Sequence, residues 1–175
     1  MKLASKILFI LGVSCFLMLY SGCSKKHPAP PSITDQQIDL LTKGAWKVTA
    51  ATKDNVDEMA IYGNVVMTIT GAKGQTATPI TMTYTISGRT STKKYPWQAS
   101  GKFDFDPTDP ATILTRDGAE VVTYAVTATQ LTMSFNYGGP GFIAREGVVT
   151  GNWLFTLIRS ALNPFRVKSP RALFI

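Results

Sequence analysis

From Ala45 onward, apolar and polar positions alternate with a period of two, which marks strands that bury one face and wet the other. Trp46, Val48 and Ala50 alternate with Lys47 and Thr49, and Val65, Met67 and Ile69 form the next run. Ile80, Met82, Tyr84 and Ile86 are separated by Thr81, Thr83 and Thr85. Trp97, Ala99, Gly101, Phe103 and Phe105 are separated by Gln98, Ser100, Lys102 and Asp104. A short strand from Thr112 to Arg116 meets Asp117-Gly118, residue types that accept the positive φ of a two-residue hairpin turn, and Glu120 to Val126 returns from it. Leu131, Met133, Phe135 and Tyr137 follow. Trp153, Phe155 and Leu157 close the series, on a strand beginning near Glu146. One stretch ahead of the strands has a different period. Thr34-Asp35-Gln36-Gln37 is spaced as a capping box, Ile38 and Leu41 share a face, and Gly44 stops the turn, so a short helix is predicted over Asp35–Lys43.

About eight strands joined by short turns, with no helical crossovers, predict an all-β fold. Its expected form is an antiparallel eight-stranded meander barrel with a short N-terminal helix; a β-sandwich is the alternative. An eight-stranded barrel has a lumen that side chains fill or that admits one small ligand.

Composition narrows the chemistry. The 175 residues suffice for one domain, and 45% hydrophobic with 17% charged residues is globular composition. The single histidine is His27 and the two cysteines are Cys15 and Cys23, all ahead of the first strand. The barrel region thus has no imidazole or thiol, which excludes His/Cys zinc sites, Ser-His-Asp triads, Cys-His dyads and structural disulfides there. G-x-S-x-G, phosphate-loop and H-E-x-x-H patterns are absent from the sequence. The expectation is a non-enzymatic protein with no cofactor and no metal.

The first 22 residues read as an export signal. Lys2 and Lys6 precede an apolar run from Ile7 to Tyr20, shorter than the roughly 20 residues a membrane-spanning helix needs. Leu19-Tyr20-Ser21-Gly22-Cys23 resembles the lipobox of bacterial lipoproteins, in which the cysteine becomes the first mature residue and carries acyl groups. That resemblance implies lipidation at Cys23 and attachment to a membrane. Residues 23–32, with Lys25, Lys26, His27, Pro28, Pro30 and Pro31, then form a proline-stiffened tether. Ser24 after the cysteine, rather than Asp, and the basic stretch that follows point in such lipoproteins to the outer membrane facing the periplasm.

The helix followed by Gly44-Ala45-Trp46 at the first strand is similar to the lipocalin pattern, where the tryptophan plugs one end of the barrel and a final-strand arginine packs on it. Arg159 is the matching arginine. A closer likeness is to small lipocalin-like lipoproteins of Gram-negative bacteria, through Tyr95-Pro96-Trp97-Gln98-Ala99-Ser100-Gly101, Arg116-Asp117-Gly118 and Gly151-Asn152-Trp153. It covers residues 33–157 and implies a fold and an address without a defined chemistry. Ile158 to Ile175 holds Arg159, Arg166, Lys168 and Arg171 and no acid, and is expected to be a disordered basic tail rather than a nucleic-acid-binding segment.

Candidate ligand positions follow from the barrel. Trp46, Met82, Tyr84, Tyr124, Met133 and Phe135, with Met67 and Phe103, are expected to face the lumen, where they suit either an apolar pocket or a packed core. The tyrosine hydroxyls among them need partners, and a polar group inside a lumen marks a ligand position. Lys93, Lys94, Tyr95 and Trp97 put cations beside aromatics at a loop-to-strand junction, which suits an anionic or sugar ligand or, equally, a solvated loop. Tyr137 to Phe142 reads as a glycine-rich gate or a long hairpin connection. Asp104, Asp106 and Asp109 read as a polar turn, since the glycine and glutamate of an EF-hand are missing. The expected partners are a membrane, through Cys23, and a small apolar or amphipathic ligand. The alternatives are an envelope protein docked on a solid barrel and, more remotely, a carbohydrate.

Overall fold

The computed structural model describes residues 30–91, 93–139 and 149–160. Helix α1 (Ile33–Thr42) leads into β1 (Ala45–Lys53), β2 (Val56–Asp57) and a single turn of helix, α2 (Met59–Tyr62). The chain then runs through β3 (Val66–Thr70), β4 (Thr81–Ser87), β5 (Ser100–Phe105), β6 (Ile113–Arg116), β7 (Glu120–Val126), β8 (Gln130–Tyr137) and β9 (Gly151–Arg159). All pairings are antiparallel between sequence neighbours, and β1 also pairs with β9, closing an eight-stranded barrel with β2 as an extra strand on β1. Closure removes the two edges that an open meander would expose.

Alternation places the core. Trp46, Met67, Met82, Phe103, Leu114, Val122, Leu131, Met133, Phe155 and Leu157 are all buried inside. Thr68, Thr70, Thr83 and Thr85 lie on the wet face, with the Thr70 and Thr83 hydroxyls 2.7 Å apart across β3 and β4. The expected turn at Asp117-Gly118 forms with φ of 51° and 74°, and Ala119 N–H donates to the Arg116 carbonyl. Asp54 and Asn55, with φ of 49° and 67°, make an equivalent tight turn between β1 and β2.

Four local expectations are corrected, and a fifth, the start of the last strand, falls outside the described residues. In β1 the register shifts between Val48 and Ala50, so Ala51 rather than Ala50 is buried; an extra residue in one strand reverses the phase of every side chain after it. Trp97 precedes β5, which begins at Ser100: the chain after Pro96 turns its tryptophan inward from a loop. The last strand starts at Gly151, where the expected Glu146 start falls outside the described residues. It runs on through Ile158 and Arg159, so the barrel extends two residues past 157. Helix α1 is capped by Ser32, whose side chain accepts from Asp35 N–H at 3.0 Å; Thr34 already lies within the helix.

Because each barrel strand reverses direction, the connections alternate between two ends. One end holds α1, the β3–β4, β5–β6 and β7–β8 connections, and the start of β1. The other, the far end, holds α2, the β4–β5 connection, the β6–β7 turn and the β8–β9 connection.

Candidate functional site

At the helix end, Trp46 is fully buried and its indole Nε1–H donates to the Leu41 carbonyl at 2.8 Å. Arg159 lays its guanidinium over the Trp46 ring, Cζ 4.9 Å from the centroid, and donates from Nη2 to the Leu40 carbonyl at 2.7 Å. This is the tryptophan–arginine stack that the lipocalin resemblance implied. Carbonyls in the last turn of a helix have no partner within the helix, so α1 offers acceptors where the barrel offers donors. Asp35 accepts from Gly74 N–H at 2.7 Å and Asp39 from Lys73 at 3.2 Å, tying the helix to the β3–β4 connection. Gly44 lets the chain pass close to the Arg159 methylenes.

The far end is lined with rings. Tyr62 from α2 meets Tyr95, Trp153 and Phe155 edge-on at 5.2–5.3 Å between centroids. Trp97 lies 4.4 Å from Phe155 and 5.6 Å from Phe135. Two guanidinium groups lie among these rings, Arg89 with Cζ 4.5 Å over Tyr95, and Arg116. Arg116, only 2% exposed, sits with Cζ 4.8 Å over Phe135 and 5.6 Å from Tyr137. Its Nε is 3.9 Å from Asp117 Oδ2, close enough for attraction and too far for a hydrogen bond. The Asp117 carboxylate is already engaged: Tyr84 O–H donates to Oδ2 at 2.7 Å and Lys102 N–H to Oδ1 at 2.8 Å. That arrangement requires Gly101, since a side chain there would strike both Tyr84 and Asp117. Arg116 Nη1 and Trp97 Nε1 are buried with no hydrogen-bond partner among the described residues. Burial pulls the Arg116 pKa below the ordinary arginine range, opposed by Tyr84, Glu120 and Asp117.

The expected lumen residues Trp46, Met82, Tyr84, Tyr124, Met133 and Phe135 are all buried. They are divided between the ends, with Trp46 and Tyr124 toward the helix, and Tyr84 and Phe135 toward the far end. The hydroxyls of Tyr84 and Tyr124, expected to mark a ligand, find acceptors in the chain, Tyr84 at Asp117 and Tyr124 at the Pro110 carbonyl; Tyr62, from α2, likewise donates to the Lys94 carbonyl. Burial raises the pKa of all three above the ordinary phenol value; for Tyr84 the hydrogen bond to Asp117 adds to the rise.

Tyr95 and Trp97, expected on a binding loop, are fully buried and present no face for a sugar to stack on, while Lys93 and Lys94 are half-buried beside them. Asp106 is occupied by Thr108 and the Asp109 amide, Asp109 by Thr112, and Asp104 by Thr81, so each carboxylate serves its own turn or strand. Cys23, the tether up to residue 29, residues 140–148 after the glycine-rich start of the β8–β9 connection, and tail residues 161–175 lie outside the described residues.

Arg116 was legible only as part of a turn motif. The signal that locates it is the alternation itself: Leu114 faces inward, so Arg116, two residues on, must do the same. Three cavities lined by described residues, of about 250, 330 and 280 Å³, lie against connections and strand surfaces rather than in the lumen. No protein-family model matches the chain, and no curated protein or solved structure matches it.

Proposed function

We propose that the protein is a non-enzymatic envelope lipoprotein, anchored to a membrane through acylated Cys23, whose barrel binds a small apolar or amphipathic molecule at the far end. The observation that carries this reading is a pair of buried N–H donors, Arg116 Nη1 and Trp97 Nε1, left unmatched among aromatic rings. A buried donor without an acceptor costs about 1–3 kcal/mol, more when charged, and such groups in native proteins call for a partner. The export signal and lipobox-like sequence support an address in the outer membrane facing the periplasm. The confinement of histidine and cysteine to residues ahead of the barrel supports a role without nucleophilic chemistry.

A second reading, a scaffold that docks an envelope protein, is favoured by the absence of measurable exposure at Trp46, Met67, Phe103, Leu114 and Leu131, which fills much of the interior. Native mass spectrometry of protein purified from envelope membranes separates the two. A co-purifying small molecule supports the carrier, and a clean mass of the protein alone supports the scaffold. For the anchor, Cys23→Ala is expected to release the protein from the membrane fraction; retention there would refute acyl attachment.

A further inference from the structure

We propose that the molecule bound at the far end is neutral and presents carbonyl oxygen, as an ester or amide does, to Arg116 Nη1 and Trp97 Nε1. The inference rests on the carrier reading and narrows it to a chemical class.

Charge and hydrogen bonding are separate requirements of Arg116. Asp117 stands 3.9 Å from the Arg116 guanidinium, so this cation already has a negative charge beside it. A ligand carboxylate would bring a second negative charge close to Asp117 and would be repelled by it. What Asp117 does not supply is an acceptor at hydrogen-bonding distance, because Tyr84 and Lys102 hold its carboxylate with the nearer oxygen 3.9 Å from Arg116 Nε. The deficit is therefore of lone pairs and not of charge.

Both unmatched groups are donors, and both their side chains pack on Phe135, Trp97 ring to ring and Arg116 over the face. A molecule that brings acceptor oxygens and no donors of its own satisfies them, and its apolar body suits Phe135 and Phe155. Elsewhere the two other indoles find such an oxygen, and Arg159 finds one at Nη2 while its Nε is buried without one. Trp46 and Trp153 each donate the indole N–H to a main-chain carbonyl, at 2.8 and 2.7 Å, and Arg159 donates to the Leu40 carbonyl. Trp97 Nε1 and Arg116 Nη1 are donors of the same types without that oxygen.

The test uses the isotope-labelled full chain and the three indole N–H resonances, with Trp46 and Trp153 as internal controls. Ethyl octanoate, octanoate and octane serve as probes of equal chain and different head. The ester is expected to shift the Trp97 resonance saturably while the other two indoles hold still. It should bind at least about tenfold more tightly than octanoate or octane, the worth of one net hydrogen bond or a buried repulsion. Trp97→Phe, which keeps a ring, is expected to weaken the ester about fivefold and leave octane unchanged. Arg116→Lys, which keeps the charge and alters the donor geometry, guards against a misfolded Trp97 variant and should weaken the ester as well. Tighter binding of octanoate, or equal binding of octane, would overturn the carbonyl class while leaving the carrier reading intact. If no probe moves Trp97 and the envelope-purified protein carries no small molecule, the carrier reading falls and this inference with it.

Discussion

At one end of the barrel Arg159 lies over Trp46 and donates from Nη2 to the Leu40 carbonyl; at the other Arg116 lies over Phe135 with its Nη1 buried and without an acceptor. Each end thus has a guanidinium on an aromatic face, a favourable contact when desolvated. The difference is α1, whose last turn brings main-chain carbonyls down onto the helix end. Helix packing there both excludes water and supplies the acceptors that exclusion makes necessary. The far end excludes water with side chains, Tyr62, Tyr95, Trp97 and Trp153, and rings bring few acceptors. At the helix end the backbone serves Trp46 and Arg159 Nη2 and leaves Arg159 Nε unmatched, whereas at the far end it serves Trp153 and leaves both Trp97 Nε1 and Arg116 Nη1 unmatched.

The largest effect that tests this contrast is removal of the sealed end's plug. Trp46→Ala is expected to cost about 3–5 kcal/mol, read by urea unfolding, because it leaves a ring-sized cavity and strips Arg159 of the face it lies on. The paired comparison is Trp→Phe at two sites. Trp46→Phe loses a hydrogen bond and orphans the Leu41 carbonyl, whereas Trp97→Phe deletes a donor that has no partner. With the lost ring volume common to both, Trp46→Phe should be the worse by about 1–2 kcal/mol. Equal losses would mean that the Trp97 indole is satisfied in solution.

Next come the two arginines, for which opposite signs are expected. Arg159→Met breaks a charged donor's bond to Leu40 and should destabilise by about 1.5–3 kcal/mol. Arg116→Met removes a buried charge whose Nη1 has no hydrogen-bond partner and whose Nε stands 3.9 Å from Asp117, and fills its place with an apolar chain. In ligand-free protein it should be neutral or stabilising in thermal unfolding. A strongly destabilising Arg116→Met would show that the guanidinium is held by the protein itself.

Much of this architecture was legible in the chain, since a strict period of two sorts inside from outside without knowledge of the partners. The places where it failed share a cause, a single residue that breaks the period. The extra residue in β1 puts Ala51 inside instead of Ala50, and Pro96 lets Trp97 turn inward from a loop that alternation reads as strand. The far-end site was obscured for another reason. Arg116 obeys the period, but a charged residue at an inward position is read first as the flank of its turn, and only the assembled barrel shows that Tyr84 and Lys102 hold the Asp117 carboxylate. Candidate polarity was sought at the tyrosines because each carries a hydroxyl. Their partners come from distant strands and connections that no local pattern reveals.

The tyrosines supply a smaller, pH-dependent test. Tyr62, Tyr84 and Tyr124 have native pKa values above that of an unfolded phenol, because burial disfavours the phenolate. Above about pH 10 the unfolded chain loses these protons while the native chain keeps them, so stability is full below that pH and declines as pH rises through the native values. Each tyrosine adds at most about 1.4 kcal/mol per pH unit to the decline. Tyr84→Phe should flatten the alkaline slope by one such increment, measured by urea unfolding over a series of alkaline buffers. A slope unchanged in Tyr84→Phe would place that hydroxyl in water rather than on Asp117.

The smallest expected effect returns to the helix, on which the sealed end depends. Ser32 accepts the Asp35 N–H at 3.0 Å, and Thr34, two residues on, is inside the first turn. Ser32→Ala should therefore cost about 1 kcal/mol and Thr34→Ala only a few tenths, although the capping-box pattern alone assigns the larger loss to Thr34. The loss at Ser32 is carried through α1 to Leu40 and Leu41, whose carbonyls serve Arg159 and Trp46, so amide and indole hydrogen exchange should quicken at Trp46. Exchange at Trp97 should not follow, since nothing at the far end leans on the helix. If both indoles quicken together, the ends are one cooperative unit and their different chemistry does not make them separable.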